Sequence, residues 1–506
     1  MLLHHAFIET AKSYGNKLAF IDRTVGRELT YHRALIASLL LMRRFQRYDD
    51  DYLGIMLPTS AGCGLAMLAT QMAGKVPVMI NYSTGADRNC SYAQEKCGFT
   101  TIITSRKLLQ RIQCPEMEGM VFLEDLVAQA GSTEKAWAAA KAILPGPLLK
   151  RVVAGGREDE TALVLFTSGS EKAPKAVELT HQNIYSNVMM AAKAFDCTDQ
   201  DRMLSVLPLF HVFGQTTTFW LPIVSGMTMV MLANPLEFKT VAGLIRNDKP
   251  TAVVATPYFL IGYLKHAKPA DFSGLRLVVA GADKLPDWLR QVFARDHNVN
   301  VLEGYGATET GPVVSANTFE ANKPGSIGKP LAGVEVKIID VDSGEEVATG
   351  EEGKIMVRSP SVMKGYLGDV EETALRIEGG WYETGDMGCV DEDGFLWHRG
   401  RLKRFMKIGG EMVSLVQVEE VVQEWLPEGV ECCAVEIPDS KRGGSVGLAL
   451  TVEVDNKKML GDLGSKIPKL ATPKYFCVMQ ELPKMGSGKI DFRATEMYVR
   501  KHLGHA

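Results

Sequence analysis

Apolar and polar positions alternate over the first 330 residues in blocks typical of strands and helices in turn. Short apolar runs bounded by polar or turn-forming residues predict buried strands. The predicted strands are Leu53–Leu57, Val76–Ile80, Thr100–Thr104, Thr161–Phe166, Arg202–Leu207, Thr228–Leu232, Ala252–Ala255, Leu275–Ala280 and Asn300–Leu302. Because helix-length segments separate these runs, the pattern predicts an α/β fold of layered β-α-β units.

The pattern changes near Gly333 to short alternating strands punctuated by glycine. This predicts a small antiparallel β subdomain over about residues 333–398. Farther on, an apolar-periodic run predicts a helix over Val416–Trp425, and two alternating runs after it predict strands. We therefore expect a large N-terminal domain over 1–402 and a smaller α+β C-terminal domain over 403–506.

The composition argues against a general nucleic-acid-binding protein and against a membrane-spanning one. The chain has 506 residues, 46% of them hydrophobic, and a formal net charge of −4, which argues against general nucleic-acid binding. Nine cysteines without C-x-x-C spacing favour reduced thiols and a cytoplasmic location. The uncharged stretch from Leu53 to Gly74 is broken by Pro58 and by several polar residues, so we predict no transmembrane segment. Peripheral membrane contact is left open.

The segment LFTSGSEKAPKAV, residues 165–177, follows a predicted buried strand. Small hydroxyl and glycine residues followed by lysines suit phosphate binding, because backbone N–H groups can approach closely and cations offset the charge. The spacing is not that of a Walker loop. Taken alone, the segment is equally well explained as a Ser/Gly-rich turn.

Six further motifs follow in order along the chain. They are LPLFHVFG (207–214), VVAGADKL (278–285), GYGATETGP (304–312), WYETGD (381–386), GRLKRFMKIGGEMVS (400–414) and LPKMGSGK (482–489). Together with the first, they resemble the adenylate-forming superfamily of acyl-CoA synthetases, nonribosomal adenylation domains and luciferases. Glu171 in the first motif and residues 403–415 and 485–492 resemble one branch, the acyl-ACP synthetase domain of bacterial 2-acylglycerophosphoethanolamine acyltransferase/acyl-ACP synthetase.

The resemblance implies a reaction in two halves with ATP and Mg²⁺. A carboxylate attacks the α-phosphate of ATP to give acyl-AMP and pyrophosphate, and a thiol then displaces AMP. It also implies a fatty acid as substrate and acyl carrier protein as acceptor, with coenzyme A as the alternative. The apolar surroundings of His211 favour an acid without an amino group. A nonenzymatic acyl-adenylate or lipid-binding sensor is a more remote alternative.

The resemblance also assigns roles to individual residues. The implied ATP- or AMP-binding residues are Thr167, Ser168, Gly169, Ser170, Lys175, Gly281, Ala282, Asp283, Tyr305, Gly306, Thr308, Asp386, Arg401 and Lys489. The implied catalytic residues are His211, Thr308, Glu309 and Lys489, with Glu309 as the Mg²⁺ ligand. Lys403 is implied as the hinge of a mobile C-terminal domain, and Lys407, Gly409 and Gly410 as the wall of the thiol tunnel.

Each assignment has a plainer alternative. A Gly-Asp pair is usually a turn, a histidine among aromatic residues usually packs in a core, and a lysine near the C-terminus is usually solvated. The motif context favours the functional interpretation. The sequence departs from the resemblance at several positions, and two of them, Lys172 and Ala176, stand where it expects glycine. If either position needed a positive φ, the cost would be about 1 kcal/mol.

Overall fold

The computed structural model describes residues 1–167, 174–408, 411–427, 429–439, 443–464, 466–484 and 490–504, with backbone only at 407, 411, 412 and 443. The α-helices are α1 (Leu3–Ser13), α2 (Tyr31–Phe45), α3 (Ala61–Met72), α4 (Ala86–Cys97), α5 (Arg106–Ile112), α6 (Leu123–Ala128), α7 (Ser132–Ile143), α8 (Gly146–Leu149), α9 (His181–Ala194), α10 (Val212–Gln215), α11 (Leu221–Ser225), α12 (Phe238–Asp248), α13 (Pro257–Leu264), α14 (Asp287–His297), α15 (Val370–Arg376), α16 (Leu415–Trp425), α17 (Asn456–Leu463) and α18 (Phe492–His502).

The strands include each one predicted within the first 330 residues, together with strands that the apolar pattern did not predict. They are β1 (Leu18–Asp22), β2 (Arg27–Thr30), β3 (Tyr52–Ile55), β4 (Val76–Met79), β5 (Ile102–Thr104), β6 (Met120–Phe122), β7 (Thr161–Phe166), β8 (Ala176–Thr180), β9 (Arg202–Ser205), β10 (Thr228–Met231), β11 (Ala252–Ala255), β12 (Leu277–Gly281), β13 (Val301–Gly306), β14 (Val313–Ala316), β15 (Lys329–Pro330), β16 (Glu335–Ile339), β17 (Gly353–Arg358), β18 (Gly365–Tyr366), β19 (Ile377–Glu378), β20 (Trp381–Val390), β21 (Leu396–Arg401), β22 (Phe405–Ile408), β23 (Glu411–Ser414), β24 (Cys432–Asp439), β25 (Gly443–Leu450) and β26 (Tyr475–Val478). The predicted α/β fold, with a large N-terminal and a smaller C-terminal domain, is confirmed.

The described chain forms two compact units. Unit 1 contains Met1–Thr167, Pro174–Glu335 and Val357–Tyr382, and unit 2 contains Val336–Met356 and Glu383–Ala506. The two units are defined by where residues pack most densely against one another. The boundary at Lys403 was instead predicted as the hinge about which the C-terminal domain moves, and it stays a prediction.

Unit 1 is built on two mixed sheets. One has the strand order β15-β14-β13-β12-β11-β9-β10-β1-β2, and its central strands from β13 to β1 are parallel. The other has the order β18-β8-β7-β4-β3-β5-β6, with parallel pairing from β7 to β6. Parallel strands need crossover connections, and the helices between them supply these. The carboxyl ends of neighbouring parallel strands therefore meet at one edge of each sheet.

Local signals explain several of the helices. α9 begins at the predicted cap, where the Thr180 hydroxyl accepts a hydrogen bond from the Asn183 N–H at 3.0 Å. α3 occupies part of the long uncharged stretch and is almost entirely buried. Among the described residues, no helix has both the length and the apolar character needed to cross a membrane.

Unit 2 contains the β subdomain and a terminal α+β module. In the subdomain, β20 pairs with β21 in antiparallel register, and β16 and β17 belong to the same sheet. In the module, β25 lies between β24 and β26. Alternate residues of β24 contribute to two different clusters: Cys432 and Ala434 pack with α16 and α17, while Cys433 and Val435 pack with α18. This period of two is what a strand covered on both faces requires.

Candidate functional site

Two neighbouring parallel strands of unit 1 end at the same edge of the nine-stranded sheet. Gly281 at the end of β12 is in register with Gly304 in β13, and Tyr305 follows on that strand. Ala282 has φ of +70°, a left-handed conformation that is uncommon for alanine, and the exposed Asp283 follows it. The sequence-predicted residues of two separate motifs are thus brought to one edge, the usual location of ligand sites in open α/β sheets.

Close packing explains two glycines at this edge. A Cβ atom on Gly281 would lie 2.8 Å from the ring of Phe213, and one on Gly306 would lie 2.0 Å from the Pro312 carbonyl oxygen. Both approaches are shorter than carbon contacts allow. The VVAGADKL and GYGATETGP motifs therefore need glycine at these positions for backbone packing, whatever else they bind.

Thr308 and Glu309 lie in a single 3-10 turn, Thr308–Thr310, just after β13. The buried side chain of Asn187 on α9 supports the following residues, because its amide donates to the Val313 carbonyl at 2.8 Å and its oxygen accepts from the Val313 N–H at 3.1 Å. Sequence reasoning did not identify Asn187. The available signal was an asparagine on the face of α9 that is buried.

A buried tyrosine contacts Glu309. The hydroxyl of Tyr366 donates a hydrogen bond to Glu309 Oε1 at 2.9 Å, and the Met363 N–H donates to the Glu309 carbonyl at 2.8 Å. Tyr366 also hydrogen-bonds to the buried Tyr382. Burial, with the nearby Glu309 charge adding to it, raises the pKa of Tyr366 well above its usual value, so the hydroxyl stays protonated and can donate.

The segment predicted to bind phosphate connects two antiparallel strands. β7 pairs with β8, and at the base of the connection the Thr167 N–H donates to the Lys175 carbonyl at 3.0 Å, while the Lys175 N–H donates to Thr167 Oγ1 at 3.1 Å. Ala176 starts β8 opposite Phe166, and it is not among the residues with positive φ. The substitution of alanine for glycine at this position therefore carries no backbone strain. Ser168, Gly169, Ser170, Glu171 and Lys172 lie outside the described residues.

The Lys175 side chain lies against Tyr366 and Glu372. Its Nζ is 4.7 Å from the centroid of the Tyr366 ring, and it forms an ion pair with Glu372 on α15. The hydrogen bond from Lys175 is the main cause that lowers the pKa of Glu372. Glu372 also pairs with Arg376 at 3.2 Å. A cation of the predicted phosphate segment thus contacts the same tyrosine as Glu309.

His211 precedes α10 and is only partly buried. Its ring centroid is 4.6 Å from that of Phe210, which in turn is 4.9 Å from Tyr82. After α10 the helix continues through a π-helical turn, Thr216–Trp220, a distortion that is frequent at functional sites. His211 therefore has an aromatic environment without full burial in the core.

Asp386 and Arg401 lie in unit 2, directly opposite one another on β20 and β21. Arg401 Nε is 3.3 Å from Asp386 Oδ1, and His398 Nε2 is 3.7 Å from the same oxygen. The Asp386 N–H donates to Thr384 Oγ1 at 3.0 Å, which fixes the backbone beside it. Asp386 is buried and Arg401 largely exposed, so the pair combines a fixed acceptor with an accessible donor.

The remaining predicted residues lie near or within the terminal module. Lys403 is exposed in the 3-10 turn Leu402–Arg404. Lys407 lies in β22 with its side chain outside the description, and Gly409, Gly410 and Lys489 lie outside the described residues.

Arg404 is buried and forms an ion pair with Glu419 on α16. Its guanidinium lies 4.0 Å from the centroid of the Phe492 ring on α18. Burial raises the pKa of Glu419, and the Arg404 charge opposes that shift. Arg404 therefore joins the turn before β22 to two helices of the terminal module.

The donor set around Glu309 fits a hard divalent cation only in part. Glu309 offers a partly buried carboxylate that accepts a hydrogen bond from Tyr366, and a carboxylate oxygen suits Mg²⁺. Across the described ranges, no group of three or more His, Cys, Asp or Glu side chains is arranged to hold a metal ion. A cation at Glu309 would need its other oxygen ligands from a bound substrate or water.

Two family models match the chain: AMP-binding enzyme over residues 7–367, and AMP-binding enzyme C-terminal domain over residues 417–489. The chain is 35% identical over 345 residues to a long-chain-fatty-acid–CoA ligase of Bacillus subtilis, an alignment that covers 66% of this chain and 61% of that protein. It is 31% identical over 411 residues to a 2-succinylbenzoate–CoA ligase of Bacillus pumilus, covering 78% of this chain and 82% of that protein. The match thus spans less than two thirds of the Bacillus subtilis ligase.

Solved structures share the fold. The ATP-bound MatB from Rhodopseudomonas palustris superimposes with a TM-score of 0.86 at 21% identity, covering 100% of both chains. The anthranilate–CoA ligase AuaEII in complex with anthranoyl-AMP gives a TM-score of 0.86 at 22% identity, covering 100% of this chain and 98% of that one. At these identities the similarity shows the fold alone.

Proposed function

We propose, on the premise that this chain belongs to the family of AMP-binding enzymes, that it activates a carboxylic acid with ATP and transfers the acyl group to the thiol of coenzyme A. The main support is the meeting of separate motifs at one sheet edge. Gly281 pairs in register with Gly304. Glu309, in the turn after β13, follows Gly304 by five residues. An aromatic residue, a hydroxyl and a carboxylate at this edge suit a nucleotide with a bound cation.

The chemistry explains the residue types. In the first half-reaction a carboxylate oxygen attacks the α-phosphorus, the bond to the β-phosphate oxygen breaks, and pyrophosphate leaves. Both reactants are anionic, so the site needs cations and N–H or O–H donors around them. Lys175 and Thr167 would hold the β- and γ-phosphates, together with Ser168, Gly169 and Ser170. Mg²⁺ bound at Glu309 and at phosphate oxygens would offset the negative charge on the departing pyrophosphate.

Other residues would bind the rest of the nucleotide. In this proposal Tyr305 stacks on adenine beside Gly281, Ala282 and Asp283, and Thr308 contacts the α-phosphate. Asp386 accepts hydrogen bonds from the ribose hydroxyls and Arg401 donates to them, roles that suit a buried carboxylate beside an exposed guanidinium. In the second half-reaction the thiol sulfur attacks the acyl carbonyl carbon and AMP leaves. Rotation of residues 403–506 about Lys403 would bring Lys407, Gly409 and Gly410 to the thiol.

The acceptor is the point at which the relatives and the motifs differ. The relatives described above are named as CoA ligases, and this favours coenzyme A, the alternative acceptor in the sequence analysis. The branch-like features at Glu171 and residues 403–415 keep acyl carrier protein as the second candidate. For the acid, the Bacillus subtilis relative is named for long-chain fatty acids, and the aromatic surroundings of His211 suit an acid without an amino group.

The proposal is tested with a panel of fatty and aromatic acids in an ATP–pyrophosphate exchange assay. We expect exchange with at least one fatty acid, and then thioester formation with coenzyme A at a higher kcat/KM than with acyl carrier protein. A preference for carrier protein would make the second candidate correct. Absence of exchange with every acid would contradict adenylation and favour a nonenzymatic acyl-adenylate or lipid-binding sensor.

Lys489 provides a test of the two half-reactions. In the proposed mechanism it bridges the substrate carboxylate and the α-phosphate during adenylation alone. Lys489→Ala should therefore reduce pyrophosphate exchange by about 10²–10³-fold, the typical cost of losing one transition-state donor, while thiolation of supplied acyl-AMP is preserved. Lys484→Ala is the matched control, because Lys484 precedes it by five residues and pairs with Glu431 at 2.8 Å. Equal loss of both half-reactions in Lys489→Ala would contradict the assignment.

A further inference from the structure

Tyr366 contacts two residues that the proposed function assigns to one bound nucleotide. Glu309 would bind its divalent cation, and Lys175 would bind its phosphates. Its hydroxyl is 2.9 Å from Glu309 Oε1, and Lys175 Nζ is 4.7 Å from the centroid of its ring. Glu309 lies in the turn after β13 and Lys175 lies just before β8, so the two residues belong to different motifs. A single side chain therefore lies between the carboxylate proposed for the cation and the ammonium proposed for the phosphates.

The backbone around Tyr366 holds this side chain firmly. Tyr366 pairs with Val177 across β18 and β8, so it is joined to the strand that begins immediately after Lys175. Its N–H donates to Thr373 Oγ1 at 2.9 Å, and it is 5% exposed. A buried ring whose backbone is hydrogen-bonded on both sides loses little conformational entropy when it positions a neighbour.

We propose that Tyr366 is a positioning residue that holds the Glu309 carboxylate in the orientation needed to bind a divalent cation, while its ring supports the Lys175 ammonium. This rests on the proposed function, in which Glu309 is the metal ligand. The hydroxyl donates to Oε1, and the carboxylate has a second oxygen, Oε2, with which to bind the cation. Groups that orient a metal ligand typically change metal affinity or activity 10–100-fold when removed. The ring contact is a cation–π interaction, which needs no hydroxyl.

These two contacts can be separated by one substitution. Tyr366→Phe removes the hydroxyl and keeps the ring, so it loses the hydrogen bonds to Glu309 and Tyr382 and retains the ring contact with Lys175. The control is Tyr263→Phe, because Tyr263 is a fully buried tyrosine whose hydroxyl has no hydrogen-bond partner among the described residues. The control reproduces the general effect of replacing a buried tyrosine, away from Glu309.

The direct measurement is a Mn²⁺ titration of the protein with α,β-methylene-ATP, followed by electron paramagnetic resonance. We expect Tyr366→Phe to raise the Mn²⁺ dissociation constant by about tenfold or more, with binding of the metal-free nucleotide close to wild type. In pyrophosphate exchange, the free Mg²⁺ concentration for half-maximal rate should rise equally, and excess Mg²⁺ should restore the rate. Tyr263→Phe should match wild type in both assays.

Glu309→Gln distinguishes failure of this inference from failure of the proposed function. If Glu309→Gln weakens Mn²⁺ binding and Tyr366→Phe does not, Tyr366 has no positioning role and the metal role of Glu309 stands. If Glu309→Gln leaves Mn²⁺ binding unchanged, the metal role itself is wrong. A loss of rate in Tyr366→Phe that excess Mg²⁺ does not restore, with unchanged Mn²⁺ binding, would also overturn the inference.

Discussion

We predict that a buried histidine pair makes the stability of unit 1 sensitive to mild acid. His4 on α1 and His181 at the start of α9 lie with their ring centroids 5.6 Å apart, and both are buried. His181 Nδ1 accepts a hydrogen bond from the Leu3 N–H at 3.2 Å, and His4 Nε2 donates to the Ala154 carbonyl at 2.9 Å. A proton added to His181 Nδ1 would face the Leu3 N–H donor. The neutral form of His181 is therefore the one that the fold accommodates.

Burial is the main cause of the low pKa of both side chains. It lowers the pKa of His4 from 6.5 to about 4 and that of His181 from 6.5 to about 3, and for His181 the nearby His4 and the terminal amino group add to the shift. A histidine with a lowered folded-state pKa binds protons first in the unfolded state, so stability falls as the pH drops below about 6.5. Between pH 7 and pH 5 the loss is about 2 kcal/mol for each histidine, or about 4 kcal/mol for the pair.

The assay compares slopes of stability against pH. Urea unfolding is followed by far-UV circular dichroism at pH 7, 6 and 5, with a separate transition fitted for each unit because two units need not unfold together. His181→Gln keeps an acceptor for the Leu3 N–H and cannot titrate. We expect it to lose about 2 kcal/mol less than wild type between pH 7 and pH 5. His266→Gln is the control, because His266 is exposed to water in the folded state.

Two outcomes would refute the reasoning. If His181→Gln and wild type lose the same free energy of unfolding between pH 7 and pH 5, the His181 side chain does not couple folding to protons in this range. If His266→Gln changes the slope as much as His181→Gln does, burial is not the cause.

Two other charged pairs give further predictions. Glu372→Gln should lower the KM for ATP in pyrophosphate exchange by about two- to fivefold, because the Glu372 carboxylate competes with phosphate for Lys175. The magnitude follows from the value of a partly exposed ion pair, up to about 1 kcal/mol. An unchanged or raised KM would contradict this. Arg404→Met should lower the free energy of unfolding of the terminal module by about 3–5 kcal/mol, since it leaves the Glu419 carboxylate buried without its guanidinium. In urea unfolding, Arg404→Met/Glu419→Leu should recover most of that loss, and equal loss in the single and double variants would show that the buried charge is not responsible.

Local patterns in the sequence were sufficient to locate many elements. The apolar run Thr161–Phe166 is β7 with the predicted limits, and Ala252–Ala255 is β11 with the predicted limits. The helix predicted to begin after Thr180 does so, with the threonine hydroxyl as its cap. These features depend on neighbours within a few residues, and the residues that determine them are adjacent in the chain.

Other elements were not predicted because their stability depends on distant partners. β8 was not predicted, since its first two residues end the predicted phosphate-binding segment and the five residues become a strand through pairing with β7 and β18. For the site, motif residues could be named from their order in the chain, but their supports could not. Asn187 is an ordinary polar residue of a helix until the fold places it 2.8 Å from the Val313 carbonyl.

By itself the sequence determined the α/β class, the approximate strands and the set of candidate site residues. Periodicity, helix caps and the order of the motifs can be recognised in the linear sequence without knowledge of the fold. Only the tertiary structure decided which groups meet. Tyr366 and Glu309 are 57 positions apart, and they form a hydrogen bond because β18 and the turn after β13 converge in unit 1. Packing selects such contacts from many possible pairs, since burying a polar group without a partner is costly.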